Sequence, residues 1–158
     1  MGDAWAVRRL SGDDWGLHRA VRLAMLLDQP DAYGSTFARE VAFDEATWRE
    51  RLGHPVLIAE SDAGLPLGVA TLFRPDASHA PEIVAMWVAG HARGDGIADA
   101  LVEACVDLAR ERGDSVVRLH VMRDNRRAVA FYERVGFAFD GSPGDIDGCD
   151  RMSRVLTA

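Results

Sequence analysis

The chain has 158 residues, 48% hydrophobic and 27% charged, which excludes disordered, collagen-like and coiled-coil classes and fits one domain over residues 1–158. Eighteen basic residues, all arginine, face twenty-five acidic ones, and the resulting charge of -7 excludes a general polyanion binder, so no nucleic-acid partner is expected. Two cysteines, Cys105 and Cys149, supply neither a disulfide framework nor zinc-ligand spacing, so no metal site is expected either.

Residues 4–10 read as an opening strand. Ser11, Asp13 and Asp14 mark a helix start, and Leu17, Val21, Ala24 and Leu27 recur at helical spacing until Pro30 stops the run. Residues 31–36 read as a turn or a short helix, and 43–52 as a helix capped by Asp44. Residues 55–61 and 66–73 form a strand pair around the Asp62-Ala63-Gly64 turn, and 82–88 make a further strand. A glycine loop over 90–96 opens the clearest helix, 97–112, with Ile97, Leu101, Cys105 and Leu108 on one face. A strand over 116–121, a helix over 128–135, a strand starting at 137–139, a polar turn over 140–148 and a last strand over 149–156 complete the chain. About seven strands and four helices in this order predict an α/β (α+β mixed) fold with helices on both faces of one mixed sheet. No apolar run approaches the ~18 residues of a membrane span, so no membrane partner is expected. Met1–Ser11 lacks the apolar core of a signal peptide, which makes the cytoplasm the expected location.

Two segments carry chemistry. Val88 to Ala98 leaves a strand, passes Arg93, Gly94, Asp95 and Gly96, and enters a helix at Ile97. A helix start offers unpaired N–H groups and a partial positive charge, and glycine lets the backbone approach phosphate oxygens. The segment is neither a Walker loop, since no Gly-Lys-Ser/Thr follows, nor a dinucleotide fingerprint, since its glycine spacing differs. In the second segment, Asn125 to Phe137, Asn125 and Tyr132 stand seven residues apart on one helical face. A plain tight turn and a core tyrosine are the competing readings of these two segments.

Together the segments resemble the GNAT superfamily of acetyl-CoA-dependent N-acetyltransferases. Arg93, Gly96 and Ala98 match its Arg/Gln-x-x-Gly-x-Gly/Ala signature, and Asn125, Ala128, Phe131, Tyr132, Gly136 and Phe137 match its second signature, in the right order. The resemblance implies a V-splayed sheet with pantetheine between strands 82–88 and 116–121, alongside Met86, Trp87 and Val88. It implies pyrophosphate on the amides of Gly94, Gly96, Ile97 and Ala98, with Arg93 and Asp95 beside it. Asn125, Ala128 and Phe131 would face the cofactor, and Tyr132 the thioester sulfur. Two residues depart from the family's pattern: Gly90 replaces a frequent proline and predicts a freer loop, and Asp95 puts a carboxylate near the pyrophosphate.

The implied reaction is direct transfer of an acetyl group from acetyl-CoA to an amine. Tyr132 is the candidate acid for the leaving thiolate, and Glu82 the candidate base, with His120 and then His79 as competitors. Cys105, on an apolar helix face, is expected in the core rather than as an acetyl carrier. The acceptor site is expected among Tyr33, Phe37, Glu82 and Asp140, with Trp48 either lining it or in the core. Asp31, Glu40, Asp44, Asp145 and Asp147 are further groups that would attract a cationic amine. Expected partners are a small-molecule or peptide amine, with the chain a monomer or homodimer; a non-catalytic acyl-CoA-binding module is the reading from another class.

Overall fold

Strand β1 (Trp5–Arg9) leads through a 3-10 turn at Gly12–Asp14 into α1 (Trp15–Asp28) in the computed structural model, which describes residues 4–157. The turn is locked reciprocally, since the Asp14 carboxylate accepts from the backbone and side chain of Ser11 while the Asp14 N–H donates to the Ser11 carbonyl. A single helical turn, α2 (Phe37–Glu40), begins where Thr36 Oγ1 accepts from the Arg39 N–H, directly after the turn or short helix expected over 31–36. Asp44 caps α3 (Glu45–Arg51) as expected, its Oδ1 accepting from the Thr47 N–H at 2.9 Å. Next come β2 (Val56–Ser61), β3 (Pro66–Phe73) and β4 (Glu82–Val88), then α4 (Ile97–Glu111) and β5 (Val116–Met122). Helix α5 (Arg126–Arg134) starts two residues earlier than predicted, because the Asn125 side chain accepts from the Ala128 N–H and caps it. Strands β6 (Ala138–Pro143) and β7 (Cys149–Val155) follow. The predicted polar turn over 140–148 is therefore partly strand: Asp140 to Pro143 continue β6 through an irregular stretch whose last residue pairs with Asp150.

The seven strands make one sheet in the order β1-β2-β3-β4-β5-β7-β6. Every neighbouring pair is antiparallel except β4 and β5, which run parallel and meet at one register position, Glu82 opposite Arg118. The Arg118 N–H donates to the Pro81 carbonyl at 3.0 Å, and beyond that point the strands diverge. This is the V-shaped splay.

Alternation along each strand sends apolar side chains to both faces. Val56, Ile58 and Val69 pack under Val21 and Met25 of α1. Leu57, Ala59, Ala70, Leu72, Val117 and Leu119 pack under Ile97, Leu101, Val102, Cys105 and Val106 of α4. Each fully buried leucine or valine there contributes about 1.5–3 kcal/mol. Helix α4 sits unusually close to the sheet at Gly68, where a Cβ would meet Ile97 Cγ2 and the Trp87 carbonyl at 3.0 Å. That seating holds the N-terminus of α4 at the mouth of the splay.

One local distortion decides what faces the gap. The β3–β4 register shifts between Val69–Trp87 and Thr71–Val84, and Ala85 has φ +53°, a left-handed conformation. Ile83 faces α4 before this bulge; past it, Met86 and Val88 point to that side and Trp87 is turned toward α1.

Candidate active site

A cleft of about 830 Å³ opens between β4, the loop into α4, and α5. Met86 and Val88 line it from β4, Arg93, Gly94, Gly96, Ile97 and Ala98 from the loop and helix start, and Asn125, Ala128, Phe131 and Tyr132 from α5. Two residues expected among them do not. The bulge turns Trp87 away, and its indole N–H donates to Asp28 at 2.9 Å. Asp95 is exposed and points out of the cleft. The carboxylate that does line it is Asp99, one turn into α4, held by Arg134 at 2.7 Å. At Gly90, where a freer loop is expected, the chain enters a 3-10 turn over Gly90–Ala92 with Ala92 buried.

The start of α4 is built for an anion. Gly94 and Gly96 have φ +89° and +82°, and a Cβ on either would find nothing within 4 Å. Gly96 caps the helix without any side-chain hydrogen bond, so the first N–H groups of α4 have no capping acceptor. Arg93, Arg127 and Arg134 bring positive charge to the same cleft. The β5-facing backbone of β4 past Glu82 has no strand partner, an edge on which an extended amide chain can pair. Glycine cradle, unpaired N–H groups, cations and free strand edge fit a long pyrophosphate-bearing ligand with amide groups.

Tyr132 packs between Phe131 and Phe137, with ring centroids 5.1 and 6.0 Å away. Burial, with a smaller push from Cys105, raises its phenol to about 12, so the hydroxyl keeps its proton at neutral pH. Burial likewise raises the Cys105 thiol to about 12; this cysteine is fully buried core, as its helical position predicts.

Across the gap, on the face opposite α4, Glu82 Oε2 lies 3.6 Å from His120 Nδ1, and each side chain is about one quarter exposed, at 25% and 26%. As a sequence these two are competing candidates for one base; the parallel register of β4 and β5 makes them a pair. His79 is elsewhere, exposed and bonded to Asp76 at 2.8 Å in the β3–β4 loop. Tyr33, from the loop after α1, donates its hydroxyl to the Met86 carbonyl at 2.9 Å and so ties that loop to β4. Burial pushes its phenol up to about 12 against the opposing pull of Arg22.

Of the other expected acceptor groups, Asp140, Glu40, Asp44 and Trp48 have structural partners. Phe37 is half-buried at the start of α2. Asp140 lies off the donor cleft, on the face of the Glu82–His120 pair, where its carboxylate accepts from Arg151 and Ser153, the register partners of His120 and Arg118. Trp48 is core, fully buried against His18 and Phe43. Glu40 is buried too, clamped by Arg22 at 2.9 Å and by Arg51. Asp44 is a helix cap, while Asp31, Asp145 and Asp147 are exposed.

The acetyltransferase (GNAT) family model matches residues 21–137, which include the cleft and the Glu82–His120 pair. The chain belongs to this family. It is 30% identical over 127 residues to the L-methionine sulfoximine/L-methionine sulfone acetyltransferase of Pseudomonas aeruginosa, a match covering 70% of this chain and 71% of that one. It is 27% identical over 121 residues to the mycothiol acetyltransferase of Renibacterium salmoninarum, covering 75% of this chain but 36% of that protein, so it spans about a third of that relative. The crystal structure of PaiA N-acetyltransferase from Thermoplasma acidophilum in complex with coenzyme A aligns at a TM-score of 0.73, over 97% of this chain and 99% of that one; at 16% identity the likeness is one of fold.

Six lining residues of this GNAT cleft escaped the sequence reading: Gln29, Ala92, Asp99, Arg127, Ala130 and Arg134. Three of them had a signal. Arg127, Ala130 and Arg134 follow one another at helical spacing on the face that carries Phe131. Gln29, at the end of α1, reaches the site through tertiary packing and had none.

Proposed function

We propose that this GNAT chain transfers an acetyl group from acetyl-CoA to the primary amine of a small molecule, both bound at once. The observation that carries the reading is a gap open to two faces. The anion cradle and Tyr132 lie on one face, and the Glu82–His120 pair lies on the other. A donor entering along α4 and an amine entering past α1 would meet at the apex of the splay.

Bound there, acetyl-CoA supplies an acetyl group activated as a thioester. Gly94, Gly96, Ile97 and Ala98 hold phosphate oxygens with their backbone, and Arg93 and Arg127 add charge-assisted contacts. Asn125 both caps α5 and faces the donor arm. Glu82 and His120 take the proton from the ammonium nitrogen, directly or through a water, so that the nitrogen lone pair is free. Tyr132 Oη keeps its proton until sulfur needs one. Tyr33 and the loop that carries it cover β4 and keep bulk water from the apex.

A small-molecule acceptor is supported by the methionine sulfoximine/sulfone acetyltransferase, which matches along most of its own length. The cytoplasm is the setting we assign, where the free thiols of Cys105 and Cys149 stay reduced. The test is acetyl-CoA-dependent thiol release across a panel of small amines and peptide N-termini. Glu82→Gln should lower turnover by about 100-fold or more while calorimetric affinity for acetyl-CoA stays within about twofold. Faster turnover of peptides than of every small amine would overturn the small-molecule assignment.

A further inference from the structure

Arg118 stands directly opposite Glu82, at the one register position that joins β4 to β5. Val117 and Leu119 face the α4 core, so Arg118 and His120 share the other face with Glu82. This is the face from which the acceptor approaches. The other charges along this part of the sheet are paired: Arg151 with Asp140, Arg123 with Asp150, Arg74 with Asp114. Arg118 differs. It is half-buried, forms no ion pair among the described residues, and its buried Nε has no hydrogen-bond partner. A guanidinium N–H withdrawn from water without an acceptor is costly, and the cost is removed when an anion arrives.

We propose that Arg118 binds a carboxylate on the acceptor, and that the acceptor is therefore an α-amino acid or a close zwitterionic analogue. This inference rests on the acetyl-transfer reading above and names its substrate class. An α-amino acid carries its amine and carboxylate on one carbon. Neighbouring strands lie about 4.8 Å apart, so side chains on register partners reach two groups separated by a single carbon. Glu82 then faces the ammonium group and Arg118 the carboxylate, which fixes the acceptor's orientation and points its amine toward the splay. The side chain of the amino acid is left to the loop that carries Tyr33. A peptide N-terminus has an amide in place of the carboxylate and cannot neutralise Arg118. A diamine would place a second cation against it.

The test compares each of the twenty common L-amino acids, and L-methionine sulfone, with its carboxamide, which keeps the shape and removes the charge. Wild-type protein should acetylate at least one amino acid with a KM about 10- to 100-fold below that of its amide. In Arg118→Gln the two KM values should come within about threefold of each other, and Arg118→Lys should restore part of the difference. A merely structural role would not produce that split between charged and neutral acceptors. Calorimetry with acetyl-CoA checks that both variants are folded. Equal or better use of the amides by wild-type protein overturns the inference and leaves acetyl transfer standing, as does an undiminished preference in Arg118→Gln. If neither kind is acetylated while another small amine of the panel above is, the inference falls and acetyl transfer stands; if no amine at all is acetylated while acetyl-CoA binds, the acetyl-transfer reading itself fails and the inference falls with it.

Discussion

Replacing Gly96 by alanine separates the conformational role of the cradle from its binding role, because the chain contains a matched control. Gly96 caps the start of α4 at φ +82°, and Gly113 follows its end at φ +83°. A Cβ would meet nothing within 4 Å at either position, so neither alanine clashes. Each forces an L-residue into the left-handed region, at about 1–2 kcal/mol. For a chain of this length that corresponds to a loss of about 2–8 °C in Tm, expected to be similar for the two variants. Only Gly96 lines the cleft. Its new methyl would stand where a phosphate oxygen must approach the helix amides, so coenzyme A should bind at least about tenfold more weakly to Gly96→Ala. Thermal unfolding with and without coenzyme A reads both effects, since ligand bound to the native state raises Tm in proportion to log affinity. Gly113→Ala should lose basal stability but keep the full ligand-induced shift. An equal ligand-induced shift in Gly96→Ala and wild-type protein would refute the placement of the phosphates.

Tyr132→Phe should lower kcat by about 100-fold or more with acetyl-CoA affinity within about twofold; because the phenol titrates at about 12, a wild-type rate profile should show no alkaline limb from it below about pH 11. Asp95→Asn should leave coenzyme A affinity unchanged, whereas Asp99→Asn, which removes the anion that lines the cleft and frees Arg134, should tighten it about two- to fivefold at low salt; tightening by the Asp95 variant instead would mean the loop is oriented otherwise. Stability should be lost in two acid windows. Burial, with Arg51 and Arg22, lowers the His18 imidazole to about 4, so an unfolded histidine binds the proton that folded His18 refuses, and stability falls between about pH 6.5 and 4. Burial raises the Glu40 carboxyl, but hydrogen bonds from Arg22 and Arg51 outweigh it and bring it to about 2, so a further loss runs from about pH 4.5 down to 2. Urea midpoints from pH 7 to pH 3 check both, and His18→Gln should flatten the upper window alone.

What the sequence made legible was local. Strands Pro66–Phe73 and Glu82–Val88 match their reading residue for residue, because turn signals bound the first and the glycine loop ends the second. The cleft could be traced from its two motifs because each is a continuous backbone device, a glycine-led helix start and an Asn-capped helix. Side-chain facing in β4 was not legible. Glu-Ile-Val-Ala-Met-Trp-Val is apolar after its first residue, so no alternation of polarity marks the phase change at Ala85. The turn of the Trp87 side chain toward Asp28 could not therefore be foreseen. Glu40 read as an exposed acid because its burial depends on Arg22 and Arg51, which come from other helices. The partners that hold Asp140 were likewise not legible, since they lie one strand away on β7. Glu82 and His120 read as alternatives because only the β4–β5 register brings them together.

That register also explains how one gap can serve two molecules. Antiparallel neighbours joined by a hairpin are held along their length, whereas the parallel strands β4 and β5 are joined through α4 and can part after a single pair. The pair that remains, Glu82 with Arg118, puts two opposite charges at the apex and leaves the edges beyond it free. The bulge then divides the labour along β4. Left-handed Ala85 costs about 1–2 kcal/mol. The two residues after it are tied to the end of α1 and the loop beyond, by the Tyr33 hydroxyl on the Met86 carbonyl and by Asp28 on the Trp87 indole. In return, Met86 and Val88 face the cleft, while Glu82, three residues before the bulge, keeps its place on the opposite face beside His120. An unbroken strand would have turned Met86 and Val88 to the same face as Glu82, and the cleft would have lost its β4 wall.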